Sequence, residues 1–391
     1  MKVLILHHHF NTPQKGGAIR SYYLAKALVD KGIETTVIAT HNDKLERYEN
    51  IEGINVRYLP IPYENKFGFY KRTASFFRYV LYVMKQGGVF RDYDVCYTIS
   101  VPLTIGLASL WIKKRYKIPY VFEVGDLWPD APVQLGFVKN SLLKRLLYGL
   151  EKQIYDNAKF IVALSSDIQE TIAQRSPQKE IILIPNMADT EFFKPEDKDP
   201  AVEKEFNVEG KFVVSYIGAL GFANGLDYLL ECARASSKAG QAVHFILCGD
   251  GAMRESLQQS SRNLQLDNIT FVPFQNRDGV RKILNITDAV FICYRHVRIL
   301  ETGSPNKYFD GLAAGKLIII NFGGWIKEEI EKEGCGLYVD PRQPTDFTKA
   351  ISPYLESKTS LAQKQQAARS LAEKKYSRKM LSETFSRSIL S

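Results

Sequence analysis

Short apolar runs alternate with amphipathic stretches along almost the whole chain. In the first half the runs are KVLILH (2–7), ETTVIAT (34–40), INVRYL (54–59), DVCYTIS (94–100), PYVFEV (119–124), KFIVAL (159–164) and EIILIP (180–185). Helix-like segments lie between them, such as SYYLAKALVDKG (21–32), which closes on a glycine suited to a helix C-cap. Continuous apolar strands separated by helices imply a parallel sheet covered on both faces. The polar, proline-bearing stretch PNMADTEFFKPEDKDP (185–200) interrupts the pattern. It then restarts with KFVVSYIG (211–218), HFILCG (244–249), ITFVPF (269–274), AVFICY (289–294), KLIIINF (316–322) and GLYVD (336–340). The expectation is an α/β chain of two doubly wound, Rossmann-like domains, 1–190 and 191–375, joined near 186–205. The segment 376–391 is expected to be a helix that packs back across the junction. Such sheets bind ligands at the carboxyl ends of their strands, so both domains are expected to face a central cleft.

Two loops carry candidate chemistry. The first is HHHFNTPQKGGAIR, His7 to Arg20. Side chains on a strand alternate between faces, so His7, His8 and His9 read as strand-end residues rather than as a metal site. Gly16 and Gly17 let backbone N–H groups approach a ligand at the positive end of the following helix. Arg20 in the first turn opposes the usual dipole preference and suits an anionic ligand. The glycine spacing is not the dinucleotide fingerprint. The second loop is YRHVRILETGSPNKYFDGLAAGKLIIIN, Tyr294 to Asn321. Gly303, Ser304 and Lys307 at a helix start suit a diphosphate, and Asp310 one turn later suits the two hydroxyls of a ribose. On spacing alone, a plain turn followed by an amphipathic helix fits equally well. Asp92-Tyr93-Asp94 mimics a metal-binding pair but sits where a strand begins, and no metal or cofactor is expected.

Composition is that of a globular protein, 45% hydrophobic and 24% charged. The net charge of +9 is uneven: residues 1–190 hold 25 cations against 18 acids, and 191–391 hold 27 against 25. Segment 64–91 holds six Lys or Arg, one acid and many aromatics. That suits a membrane interface, whereas no motif supports nucleic acid. The uncharged run 97–112 contains Pro102 and Gly106 and falls short of the ~20 residues a spanning helix needs, so no membrane-crossing helix and no signal peptide are expected. The five cysteines lie apart, mostly in apolar runs, and read as buried reduced thiols.

The loop GSPNKYFDGLAAGKLIII resembles the nucleotide-sugar signature of the family 4 glycosyltransferases, which have the GT-B fold. PNMADTEFFKP resembles that family's linker, YIGALGFANGLDYLLECA its phosphate element, and FILCGDGAMRESL its glycine-aspartate-glycine element. KGGAIRSYYLAKAL resembles its amino-terminal glycine loop, and GDLWPDAPVQLG a cleft segment of a bacterial branch that builds lipid-linked surface polysaccharides. The six motifs occur in the family's order. The resemblance implies an acceptor-side first domain and a nucleotide-sugar-binding second domain. It implies a retaining transferase moving a sugar, such as an N-acetylated amino-deoxysugar, from a UDP-sugar to a polyprenyl-diphosphate-linked saccharide of O-antigen or capsule. That places the protein in the cytoplasm, peripheral to the inner membrane. Alternative readings are a nucleotide-sugar epimerase of the same fold and a non-catalytic nucleotide-sugar-binding partner. Asp126 and Glu301 are the candidate catalytic acids, with Glu123 and Asp126 on the acceptor side. Gly16, Gly17, Arg20, Gly218, Gly249, Arg295, Thr302, Gly303, Ser304, Asn306, Lys307 and Asp310 are the candidate donor-binding residues. Three departures from the family pattern are present. Glu301 stands nine residues before Asp310 instead of eight, Gly218–Gly225 has no cation, and Gly125 replaces a histidine. Lys307, Arg295 or Arg298 is then expected to supply the positive charge.

Overall fold

KVLIL is buried at Val3 to Leu6 because it lies inside the first sheet with a parallel neighbour on each side. The computed structural model describes residues 1–17, 19–64, 67–100 and 102–390. The chain forms two compact units: residues 1–185 with 302–304 and the segment from Leu381, and residues 186–301 with 305–380.

The first unit holds β1 (Lys2–Leu6), β2 (Glu34–His41), β3 (Arg47–Ile51), β4 (Ile54–Pro60), β5 (Val95–Ile99), β6 (Tyr120–Val124), β7 (Ile161–Ala163) and β8 (Ile181–Leu183). Their order is β3-β4-β2-β1-β5-β6-β7-β8, parallel throughout except for β3 against β4. The periodicity reading omits β3, RYENI, because the segment is polar and short. It folds back through a turn at Glu52 and Gly53 and forms an edge hairpin with β4. The second unit holds β9 (Phe212–Ile217), β10 (Val243–Cys248), β11 (Ile269–Val272), β12 (Ala289–Ile292), β13 (Leu317–Ile320) and β14 (Gly336–Tyr338). They are parallel in the order β11-β10-β9-β12-β13-β14. In each sheet the chain winds outward to one edge, returns to the centre and winds to the other. The switch points fall between β1 and β5 and between β9 and β12, where doubly wound sheets open a crevice at the strands' carboxyl ends.

The compact units part at Pro185 and Asn186. Residues 376–380 stay with the second unit, where Ala188 N donates to the Tyr376 carbonyl and Arg378 N to the Ala188 carbonyl. From Leu381 the last helix, Arg378–Leu390, belongs to the first unit, and Phe385 packs edge-on against Tyr97 at 4.8 Å. All five cysteines are buried and free. Among the described residues no helix is long and apolar enough to cross a membrane.

Arg20 opens the helix Arg20–Val29, and its side chain is only 10% exposed. Its Nε and Nη2 donate to both carboxylate oxygens of the buried Glu123 at 2.9–3.1 Å, and Nη2 donates to the Ile184 carbonyl at 2.8 Å. The Tyr97 hydroxyl also donates to Glu123. The expectation set Arg20 toward an anionic ligand and Glu123 toward an acceptor. In the structure each is the other's partner, because neither charge survives burial alone. Together they bind the first helix, β5, β6 and the end of the first sheet. Glu123→Ala, which strands the guanidinium, is expected to cost about 3–5 kcal/mol of stability in urea unfolding, and Glu123→Gln less. A loss for Glu123→Ala below about 1 kcal/mol would remove the pair from the account of the fold.

Candidate functional site

The carboxyl ends of β9 and β10 meet more closely than side chains allow. A Cβ on Gly249 would stand 1.9 Å from the Gly218 carbonyl oxygen, and Gly249 has φ of 147°. The Gly218 N–H donates to the Cys248 carbonyl at 2.9 Å and the Leu220 N–H to the Asp250 carbonyl at 2.9 Å. The loop 218–225 is thereby laid across the end of the sheet as a thin backbone ledge. Lys307, in the first turn of the helix Asn306–Ala313, rises against this ledge. A Cβ on Gly218 would meet its Cε at 3.1 Å. The Lys307 ammonium lies 4.8 Å from the centre of the Tyr216 ring and 5.8 Å from that of Tyr294. Burial pulls its pKa down to about 8, against the opposing pull of Cys293 and Asp310. Asp310, one turn further on, has its carboxyl pushed up to about 7 by burial. Arg277 lowers it and Asp189 raises it. These two form their own ion pair at 2.6 Å, with the Arg277 guanidinium 3.9 Å over the Phe192 ring.

Arg295 is spent on the loop itself. Its N–H donates to the Ala223 carbonyl and its Nε to the Phe222 carbonyl, at 2.9 and 2.7 Å. The guanidinium stacks 3.8 Å over the Phe222 ring and lies 3.6 Å from Asp227. Arg298 is exposed, and Asn306 is exposed at the helix start. Glu301 stands beside the turn after β13, where a Cβ on Gly323 would come 3.2 Å from its Oε2. Asn321 was not singled out by the sequence reading. Buried, it accepts from Tyr294 N at 2.9 Å and donates to the Tyr294 carbonyl at 3.1 Å, clipping the ends of β12 and β13 together. Tyr216 was also missed, because an aromatic at a strand end reads as core, and so was Phe222, an exposed aromatic in the loop 218–225.

The first unit carries the remaining candidates. Gly16 and Gly17 both have positive φ, 71° and 80°, and Gly17 is exposed. His7 Nδ1 is 2.9 Å from Ser21 Oγ, and His8 Nε2 is 3.2 Å from Ser75 Oγ. Burial lowers the three imidazoles, His7 to about 3, His8 to about 2 and His9 to about 4, so they are neutral hydrogen-bonding groups at pH 7. Asp126 is exposed just after β6, yet desolvation by surrounding protein atoms pushes its carboxyl upward. Asp94 accepts from Lys2 N at 2.6 Å and so serves the start of the chain. Among the described residues no cluster of His, Cys, Asp or Glu is arranged to hold a metal. Thr302, Gly303 and Ser304 group with the first unit, between Glu301 and Pro305 of the second.

Residues 15–187 match the glycosyl transferase 4-like domain family, and residues 197–374 match the glycosyl transferases group 1 family. Together these matches take in most of the chain. The chain belongs to the family 4 glycosyltransferases. An uncharacterized glycosyltransferase of Methanocaldococcus jannaschii is 23% identical over 91% of this chain and 89% of its own. Sucrose-phosphate synthase of Thermosynechococcus elongatus superposes with a TM-score of 0.77 at 15% identity, over 99% of this chain and 98% of that one. The Anabaena protein HepE, solved with UDP and glucose, superposes with a TM-score of 0.72 at 17% identity over the whole of both chains. The two Rossmann-like units are those of the GT-B fold. For this glycosyltransferase, Gly249→Ala is expected to lower stability by about 2–4 kcal/mol, because the new methyl group meets a backbone carbonyl. Thermal unfolding of the variant checks this, and an unchanged midpoint would show that the ledge tolerates separation.

Proposed function

We propose that the chain is a retaining glycosyltransferase that binds a UDP-sugar on the second unit. The acceptor in this reading is a polyprenyl-diphosphate-linked saccharide of a bacterial surface polysaccharide, and the sugar is a hexose or N-acetylhexosamine. The observation that carries the donor assignment is the Lys307 ammonium held against the glycine ledge. A nucleoside diphosphate needs N–H donors and a cation at one place: Lys307 supplies the cation, and the donors are assigned to the ledge amides not spent on Cys248 and Asp250, those of Ala219 and Gly221. Lys307 substitutes for the cations that the loop 218–225 lacks. Asp310, one turn along the same helix, accepts the ribose hydroxyls. HepE, which binds UDP, gives the choice of base.

In the transfer, the bond between the sugar's anomeric carbon and the β-phosphate oxygen breaks, and the acceptor oxygen bonds to the same face of that carbon. The acceptor proton passes to the departing phosphate oxygen. Lys307 and the amides of the ledge stabilise the charge that develops there. Glu301 and the segment Thr302 to Ser304 are assigned to the sugar, and Asp126 to the acceptor. Gly16 and Gly17 remain candidates for approaching the diphosphate.

A lipid-linked acceptor calls for a membrane-facing surface. The helix Phe69–Lys85 exposes Tyr70, Phe77 and Leu81 alongside Lys71, Arg78 and Lys85 on its outward side. Asn65 and Lys66, also within the 64–91 segment, lie outside the described residues. This surface supports a position at the cytoplasmic face of the inner membrane.

Calorimetric titration with UDP, GDP, ADP and TDP, with and without a divalent ion, tests the donor assignment. UDP is expected to bind without added metal, and Lys307→Ala to weaken it about tenfold to a hundredfold. Binding of none of the four would overturn the reading. The pH profile separates the two groups. Affinity is expected to rise through pH about 7 as Asp310 ionises and to fall above pH about 8 as Lys307 loses its proton. Asp310→Asn should flatten the acid limb and Lys307→Ala the alkaline limb. A profile unchanged in both variants would remove these groups from the site.

A further inference from the structure

We infer that residues 137–149 of the first unit form a second docking element for a bilayer carrying anionic lipid. The helix Ser141–Asn157 has 17 residues, but its buried positions are Glu151, Ile154 and Tyr155. Its first ten residues contain no buried position, and their outward side is exposed, while on the other side the Tyr148 hydroxyl donates to Asp130 at 3.0 Å. The chain leaves β6 at Val124 and re-enters the sheet at β7, so this end lies on the carboxyl side of the strands, where ligands bind. Phe137, Leu142, Leu143 and Leu146 are 53%, 67%, 44% and 62% exposed, a concentration of apolar surface that a water-facing helix does not need. The end is an ordered structure, since the Asn140 side chain caps it by accepting from Leu143 N at 2.9 Å.

Charge selects the occupant. Lys139, Lys144 and Arg145 lie among the leucines, and no acid occurs from Ala131 to Leu150. The flanking acids, Asp130 and Glu151, are both bound by Arg175, at 2.7 and 2.8 Å. The cations of these turns therefore have no acid within their own segment to compensate them. A second copy meeting this face about a twofold axis would set like charges against one another. An anionic headgroup layer over hydrocarbon matches both the cations and the leucines. The helix Ile105–Tyr116 packs against both this helix and the helix Phe69–Lys85, so both outward faces belong to one helical layer of the unit. The inference deepens the lipid-acceptor reading and rests on it.

Cosedimentation of the full chain with phosphatidylcholine vesicles, and with vesicles containing about one quarter phosphatidylglycerol, tests it. Binding is expected on the anionic vesicles only, weakening with salt. Removing one cation, Lys144→Ala or Arg145→Ala, should weaken it about fivefold. The double variant Leu142→Asp with Leu146→Asp should weaken it more than about tenfold, with unchanged UDP titration and thermal midpoint. Parental binding by the leucine variant would overturn the inference. So would a loss confined to Phe77→Asp with Leu81→Asp, which would leave the contact to the earlier helix. A concentration-dependent dimer abolished by the leucine variant, with no vesicle binding, would assign the face to a second copy instead. If vesicle binding behaves as expected while UDP fails to bind, the donor reading falls and the docking element stands.

Discussion

The contact between Gly218 and Gly249 is the constraint on which the second unit's site depends. With no Cβ on either residue, two strand ends approach until one backbone lies on the other. Any larger residue would lift the loop 218–225 from the sheet. The Lys307 side chain would then lose the backbone wall on its Gly218 side and keep only the Tyr216 and Tyr294 rings. The same close approach lets the Leu220 N–H bond to the Asp250 carbonyl, so backbone hydrogen bonds fix the start of the loop while Arg295 and Tyr216 hold its carbonyls at Phe222 and Ala219.

The handling of positive charge follows one rule in both units. A cation held within the fold has a partner: Arg20 has Glu123, Arg175 has Asp130 and Glu151, and Arg277 has Asp189 and the Phe192 ring. Arg295 is bound into its own loop. Lys307 differs. Two aromatic rings flank it, and burial lowers its pKa to about 8 because it outweighs the upward pull of Cys293 and Asp310. A lysine kept in that state is stabilised by an arriving anion, which is why the donor assignment rests on it. The outer helical layer of the first unit is the other exception, where Lys139, Lys144 and Arg145 stand among exposed leucines.

The parallel strands were legible in the sequence because an apolar run flanked by helices has few other ways to bury both faces. β3 was not, since RYENI takes its structure from its pairing with β4 and has little apolar pattern of its own. In the site, Lys307 and Asp310 stood out as a cation and an acid at a loop–helix start, a pattern that a plain turn fits equally well, and Gly218 and Gly249 stood out through the resemblance of their segments to family elements. Asn321 and Tyr216 did not, because nothing local separates an asparagine that clips two strands from one in a turn, or a tyrosine under an ammonium from one in a core.

By itself the sequence determined the two α/β units, the class of their sheets and the family, since these depend on local periodicity and on motifs in a fixed order. It also determined which residue types were at hand for an anionic donor. Only the tertiary structure decided which cations were already spent. Arg20 and Glu123 are 103 positions apart, and no spacing rule foretells that they share a salt bridge. Likewise the leucines of 141–150 recur at a helical spacing that a core-facing stripe would share. Their exposure follows from where the helix stops touching the sheet, which is a property of the fold and not of the segment.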